Sequence, residues 1–68
     1  MDAISLYKAF KLAIDKEHEA AKFYADLASR VTDEELKNLL AGFATEEKKH
    51  FDRLTELYNK MKEDIAEE

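Results

Sequence analysis

Apolar residues recur at intervals of three and four along almost the whole chain, in two long segments. This spacing lines them up on one face of an α-helix, which turns once every 3.6 residues. The break falls at SRVTDEEL, where Thr32 and Glu35 have the spacing of a capping box that satisfies free amide groups at a helix start. The pattern predicts one helix from about Asp2 to Arg30 and a second from about Asp33 to about Ile65.

The connection between these helices is short, so we expect them to be antiparallel neighbours. The chain has 68 residues, no proline and one glycine, which favours a single all-α domain over residues 1–68. A chain of this length builds only a small core, and with no cysteine it has no disulfide to support the fold. We therefore expect a metal ion or a second copy to contribute to its stability.

Steps of four and three residues trace one seam along each predicted helix. The first seam comprises Leu6, Phe10, Ala13, Glu17, Ala20, Tyr24, Leu27 and Val31. The second comprises Leu36, Leu40, Phe43, Glu47, His50, Leu54, Leu57 and Met61. Apart from tyrosine, only Glu17, Glu47 and His50 interrupt these apolar stripes with ionisable groups.

These three residues are predicted to lie at one height of the hairpin. Glu17 is 15 residues before Thr32 and Glu47 is 15 residues after it, which places each roughly 22 Å from the turn at about 1.5 Å per residue. His50 follows Glu47 by three residues, so both lie on the same helix face. The hairpin therefore gathers two carboxylates and an imidazole.

Buried carboxylates without partners cost several kcal/mol each, as an order of magnitude, and commonly bind a metal ion. Carboxylate oxygen and imidazole nitrogen suit iron, manganese or zinc. Three ligands leave a site open, whereas two copies related by a two-fold axis supply four glutamates and two histidines. That set matches the dinuclear carboxylate centres of four-helix bundles, so we predict that the hairpin dimerises into such a bundle.

Glu17 and Tyr24 match a first-helix Glu-x6-Tyr pattern, and Glu47 to His50 match Glu-x-x-His, over nearly the whole chain. On these residues the sequence resembles the ferritin-like superfamily, closest to its rubrerythrin and encapsulated-ferritin branches. It supplies one helix pair, as encapsulated ferritins do when two chains complete a bundle. It departs from rubrerythrins in having no cysteine for their cysteine-bound iron domain.

The resemblance implies that Glu17 and His50 are terminal metal ligands, that Glu47 bridges the metals, and that Tyr24 lies just outside the ligands. It implies a dinuclear iron cofactor with one ion per chain, for which manganese and zinc are alternatives. The implied activity is Fe(II) oxidation with dioxygen or peroxide, a ferroxidase reaction serving iron handling or storage. Two alternatives are peroxide reduction with an external electron donor and a helical dimerisation module without catalysis.

Net charge and surface residues bear on the partners. A net charge of −5 argues against nucleic acid, and no apolar run reaches the roughly 20 residues of a membrane span. Leu12 and Phe23 share an apolar stripe on the outer surface of the first helix. This stripe adds an assembly of several dimers as an alternative to the expected homodimer. We expect a cytoplasmic protein. The resemblance also implies an encapsulating shell protein as a partner, and the compartment inside that shell as an alternative location.

Overall fold

Two long helices and a three-residue connection form the hairpin in the computed structural model. The structure describes residues 1–67, with side chains described through residue 64. Helix α1 runs Ala3–Arg30, helix α2 runs Glu34–Glu67, and the two pack against each other along a rod of 53 × 15 × 15 Å. The predicted all-α hairpin is confirmed, and each helix begins one residue later than expected.

Each helix begins at an aspartate that accepts a hydrogen bond from a free amide group. The Asp2 carboxylate accepts from the Ser5 N–H at 2.7 Å, and this bond holds the pKa of Asp2 below its ordinary value. The Asp33 carboxylate accepts from the Leu36 N–H at 2.9 Å. The prediction that Thr32 caps the second helix is therefore wrong by one residue. The aspartate next to it takes this position.

The chain reverses direction without any unusual backbone conformation. Val31 leaves the helical region with φ −88° and ψ 146°, and this extended conformation ends α1. Among the described residues, none has a positive φ. The turn therefore needs no glycine, because extended residues and an aspartate cap are enough to start the second helix.

The contact between the helices is broader than the predicted seams. A second row, spaced by seven residues, runs beside each seam and is buried or half-buried with it: Tyr7, Ile14, Ala21 and Ala28 on α1, and Ala44, Phe51 and Tyr58 on α2. Small alanine side chains in this row let the helices approach closely. Ala28 is 8% exposed and is the only apolar residue of the described chain that is buried outright.

The other edge of the predicted seams remains open to solvent. Leu6, Leu36 and Phe43 were predicted to lie between the two helices, yet each is exposed in the hairpin. Leu39 and Phe23 are also exposed, and helical geometry puts them within about 60° of this edge. We call these five residues the open apolar face. A single hairpin cannot cover it, because its two helices already contact each other along the opposite edge.

Charged side chains cover the rest of the rod. Three ion pairs join residues three or four apart along a helix, all of them exposed: Arg30 with Asp26, Lys49 with Glu46, and Arg53 with Glu56. Exposed pairs of this kind contribute little stability. Leu12 is exposed among these charges. In the part of the chain that the structure describes, neither helix has a stretch both long and apolar enough to cross a membrane.

Replacing Gly42 with alanine should stabilise the protein by about 1 kcal/mol, because glycine is a poor helix former. A Cβ atom at this position meets no atom within 4 Å, so the hairpin has room for it. The matched control is Ala41→Gly at the neighbouring exposed position, which should destabilise by a similar amount. Urea unfolding of both variants measures the change. A loss of stability in Gly42→Ala would show that another molecule packs on this position.

Candidate metal centre

Glu17, Glu47 and His50 come together across the hairpin. Each offers one ligand atom, and these atoms all lie within 4.8 Å of one another. Glu17 comes from α1, while Glu47 and His50 come from adjacent turns of α2. The three side chains therefore meet at one height of the hairpin, as the sequence predicted. Among the described residues, no other group of three acidic or histidine side chains is close enough to hold an ion.

The convergence follows from helix geometry alone. Because α1 and α2 rise by the same amount per residue, residues at equal distances from the turn meet at equal height. A helix also brings residues three apart onto one face, which places His50 beside Glu47. Side chains tilt toward the N-terminus of their own helix, so His50 on α2 leans back toward the level of the two glutamates.

The distances inside the cluster show a histidine between two carboxylates. His50 Nδ1 lies 3.4 Å from Glu17 Oε2 and 3.9 Å from Glu47 Oε2. Glu17 Oε2 is buried and has no hydrogen-bond partner among the described residues. The Glu17 and Glu47 side chains are 28% and 24% exposed, whereas that of His50 is 57% exposed. The cluster is therefore closed toward the hairpin contact and open at His50.

The two carboxylates oppose each other's ionisation. A proton shared with the Glu17 carboxyl raises the pKa of Glu47 above its ordinary value of 4.5, and partial burial and repulsion from the Glu17 charge add to this effect. The neighbouring His50 acts in the other direction, because a protonated imidazole favours the ionised carboxylate. The net effect of these neighbours is a raised pKa of Glu47.

This arrangement fits a divalent metal ion. The buried Glu17 oxygen lacks a partner, and a metal ion would supply one while relieving the repulsion between the carboxylates. Two glutamate oxygens and one imidazole nitrogen are ligands that iron and manganese accept, and zinc also binds such sets. Three ligands would leave a bound ion open to further ligands.

Tyr24 lies two helical turns from Glu17 and makes no hydrogen bond to the cluster among the described residues. Its ring packs edge-on against Phe43, with centroids 5.4 Å apart, and against Phe23 at 5.6 Å. Two helical turns separate Tyr24 from Glu17, about 10 Å along the axis. In the described chain, the only hydrogen bond of a tyrosine hydroxyl is the one between Tyr7 and Tyr58. The predicted place of Tyr24 beside the metal ligands stays a prediction.

Two other polar residues near the cluster turn away from it. His18 is exposed and its ring packs on Phe51, with centroids 5.4 Å apart. Glu46 pairs with Lys49 at 3.3 Å on the outer surface. His18 is next to Glu17 in the sequence and Glu46 is next to Glu47, so each is rotated about 100° around the helix from a cluster residue, which directs it to solvent.

Comparison with known proteins gives one match. A family model described as Rubrerythrin matches residues 3–68, which is almost the entire chain. No curated protein and no solved structure gave a match.

The stability of the metal-free protein should fall as pH rises, because of Glu47. Its raised folded-state pKa means that its contribution to stability is complete below pH 4.5 and is lost as pH passes through the raised value. Glu47→Gln removes this titration, so the stability of the variant relative to wild type should increase from pH 4.5 toward neutrality. Urea unfolding in chelator across this range measures the difference.

Glu19→Gln is the control for the loss of one negative charge, since Glu19 is an exposed residue on the opposite surface of α1. An equal pH dependence in both variants would assign the effect to overall charge and contradict the role of the carboxylate pair.

Proposed function

The chain belongs to the rubrerythrin family, and from this premise we propose that it is a dinuclear iron protein that oxidises Fe(II) at a site shared between two copies. Family membership supports iron binding and a ferritin-like function. The observation that carries the proposal is the cluster of Glu17, Glu47 and His50, whose ligand atoms lie within 4.8 Å of one another. Those ligands are half of the set used by dinuclear carboxylate bundles.

The open apolar face supports the second copy. Its five large side chains flank the edge of the hairpin on which His50 is exposed. Exposed apolar patches of this kind mark interaction surfaces. A two-fold axis passing close to the cluster would cover this face and bring two clusters together in one step, because a two-fold interface pairs each surface with its own copy.

Charge balance fits the same assembly. Two copies contribute four carboxylates and two neutral imidazoles, and four negative charges match two divalent cations. Without the ions, the repulsion already present between Glu17 and Glu47 would be doubled in one layer. The metal-loaded dimer is therefore the state in which every ligand of the cluster has a partner.

The chain's own residues have separate tasks in this proposal. Glu17 from α1 and His50 from α2 would hold an ion from opposite helices, and Glu47 would be the carboxylate that bridges the two ions. Bound iron would supply the electrons for reducing dioxygen or peroxide. The partly buried carboxylates would keep the ions at fixed positions.

Tyr24 is proposed as a group just outside the ligands. Its side chain leans toward the N-terminus of α1 and hence toward Glu17, as its contact with Phe43 indicates. Dimerisation would cover Phe43 and Phe23, the two aromatic rings that position Tyr24. A hydroxyl held in this way could orient a ligand oxygen across the interface, as groups outside the ligand set do in many metal sites.

Peroxide reduction is the second candidate, and the family match favours it. The same cluster would serve, with electrons supplied by an external donor. Consumption of the oxidant distinguishes the two activities. Fe(II) oxidation uses a fixed amount of peroxide per iron, whereas peroxide reduction continues as long as a donor is supplied.

The protein should be a dimer, or a multiple of dimers, that binds one iron per chain. The half set of ligands in each chain is the reason. Light scattering gives the mass in solution, and an anaerobic Fe(II) titration followed by exposure to oxygen gives the stoichiometry and the oxidation. A folded monomer that binds iron at full occupancy would refute the shared site.

Replacing Glu47 with leucine should stabilise the metal-free dimer, because it removes one of two neighbouring carboxylates that repel each other. The same change should abolish stabilisation by Fe(II) or Mn(II), since metal stabilises a fold only through the affinity of the folded state. Thermal melts of both proteins, each with chelator and with Mn(II), measure the two effects.

The control for these melts is Glu19→Leu, which adds the same side chain at an exposed position away from the cluster. Two results together would contradict the metal site: Mn(II) does not raise the melting temperature of wild type, and Glu47→Leu melts below wild type in chelator. The polar layer would then only fix how the helices pack. The chain would then be a dimerisation module.

A further inference from the structure

Tyr7 and Tyr58 form a stacked, hydrogen-bonded pair between the two helices. Their ring centroids are 4.6 Å apart with an angle of 20° between the planes, and the Tyr58 hydroxyl donates to the Tyr7 hydroxyl at 2.8 Å. The oxygens are therefore closer together than the ring centres. The two rings converge toward their hydroxyl ends.

The pair lies inside the hairpin contact, on the turn-distal side of the metal cluster. Both rings are half-buried. Tyr7 precedes Glu17 by ten residues and Tyr58 follows His50 by eight, which corresponds to roughly 15 Å and 12 Å along the helix axes. The third tyrosine, Tyr24, lies on the other side of the cluster, toward the turn.

The hydrogen bond distinguishes this pair from Tyr24 as a source of electrons. A phenol that loses an electron becomes a strong acid, so its oxidation is easiest where an acceptor is already within hydrogen-bond distance. Tyr58 has such an acceptor in the Tyr7 oxygen. That bond, with partial burial, raises the pKa of Tyr58, which keeps the phenol protonated until it is oxidised. Tyr24 has no such acceptor within the described hairpin.

We propose that Tyr7 and Tyr58 are an oxidation site that becomes covalently linked when peroxide reaches the metal centre without Fe(II) or another donor to reduce it. The inference rests on the proposed function, because the peroxide is reduced at the Glu17, Glu47 and His50 cluster. The product is a carbon–carbon bond between the two rings, at positions next to their oxygens.

The reaction balances with peroxide as the oxidant. Each tyrosine gives up one electron and one phenolic proton, and the two ring carbons beside the oxygens then join. Each of these carbons passes its hydrogen to the neighbouring oxygen, which restores both phenols. Hydrogen peroxide takes the two electrons and two protons and becomes two molecules of water. The chain loses two hydrogen atoms in total.

The link would also change the protein's stability. It joins the beginning of α1 to the later part of α2, so it closes a loop that contains most of the chain. Restricting the unfolded chain in this way stabilises the folded state. The linked protein should therefore melt at a higher temperature than the unlinked protein, while peroxide that oxidised side chains at random would lower the melting temperature.

The experiment treats iron-loaded wild type with hydrogen peroxide in the absence of any donor. Mass spectrometry of tryptic peptides should show residues 1–8 joined to residues 54–60, with two hydrogens fewer than their sum. A denaturing gel should show this product at the mass of one chain, since the two rings belong to the same hairpin. Tyr7→Phe and Tyr58→Phe should lose the link.

A second arm separates this inference from the proposed function. Metal-free wild type and Glu47→Leu, treated with a photoactivated one-electron oxidant, should both form the link, because the pair itself is intact in both. With iron and peroxide, only wild type should form it. Iron-loaded wild type that shows no link, or a link formed equally in Glu47→Leu, would overturn the inference. Failure to bind iron would overturn the proposed function as well, whatever the photochemical arm shows.

Discussion

The carboxylates of Glu17 and Glu47 are held beside each other inside the hairpin, and much else in the molecule follows from that constraint. Among the described residues, His50 is the only basic side chain paired with either carboxylate, and a buried oxygen of Glu17 has no hydrogen-bond partner. The repulsion raises the pKa of Glu47. Apolar residues at these positions would pack more favourably. A bound cation is the physical reason to keep two acids there, and the family to which the chain belongs supports that reading.

The incomplete cluster and the open apolar face point in the same direction. Leu6, Leu36 and Phe43 are exposed on the edge where His50 also reaches solvent. On the same side, a single hairpin therefore lacks half of the metal ligands and leaves apolar side chains exposed to solvent. The proposed second copy would correct both deficits at once, which is more economical than separate explanations for an open site and for exposed leucines. The opposite edge is closed by alanines and by the stacked Tyr7 and Tyr58.

The details that the sequence predicted poorly have local physical causes. Thr32 and Asp33 are both good caps, and pattern alone does not decide between neighbours when each can accept an amide hydrogen bond. The row containing Tyr7, Ala28 and Tyr58 escaped the predicted seams because apolar spacing defines a wide stripe without saying which edge of it meets the partner helix. That choice depends on side-chain size, and small alanines on one edge draw the helices together there.

The sequence by itself determined that Glu17, Glu47 and His50 meet. A fixed rise per residue and equal distances from a short turn leave these side chains no other height, and three-residue spacing leaves His50 no other face. Only the tertiary structure decided which edge of each stripe lies between the helices, and hence that His50 and Phe43 face outward while Tyr7 stacks on Tyr58. Height along a helix follows from counting residues, whereas rotation about its axis is set by how side chains from two helices fit together.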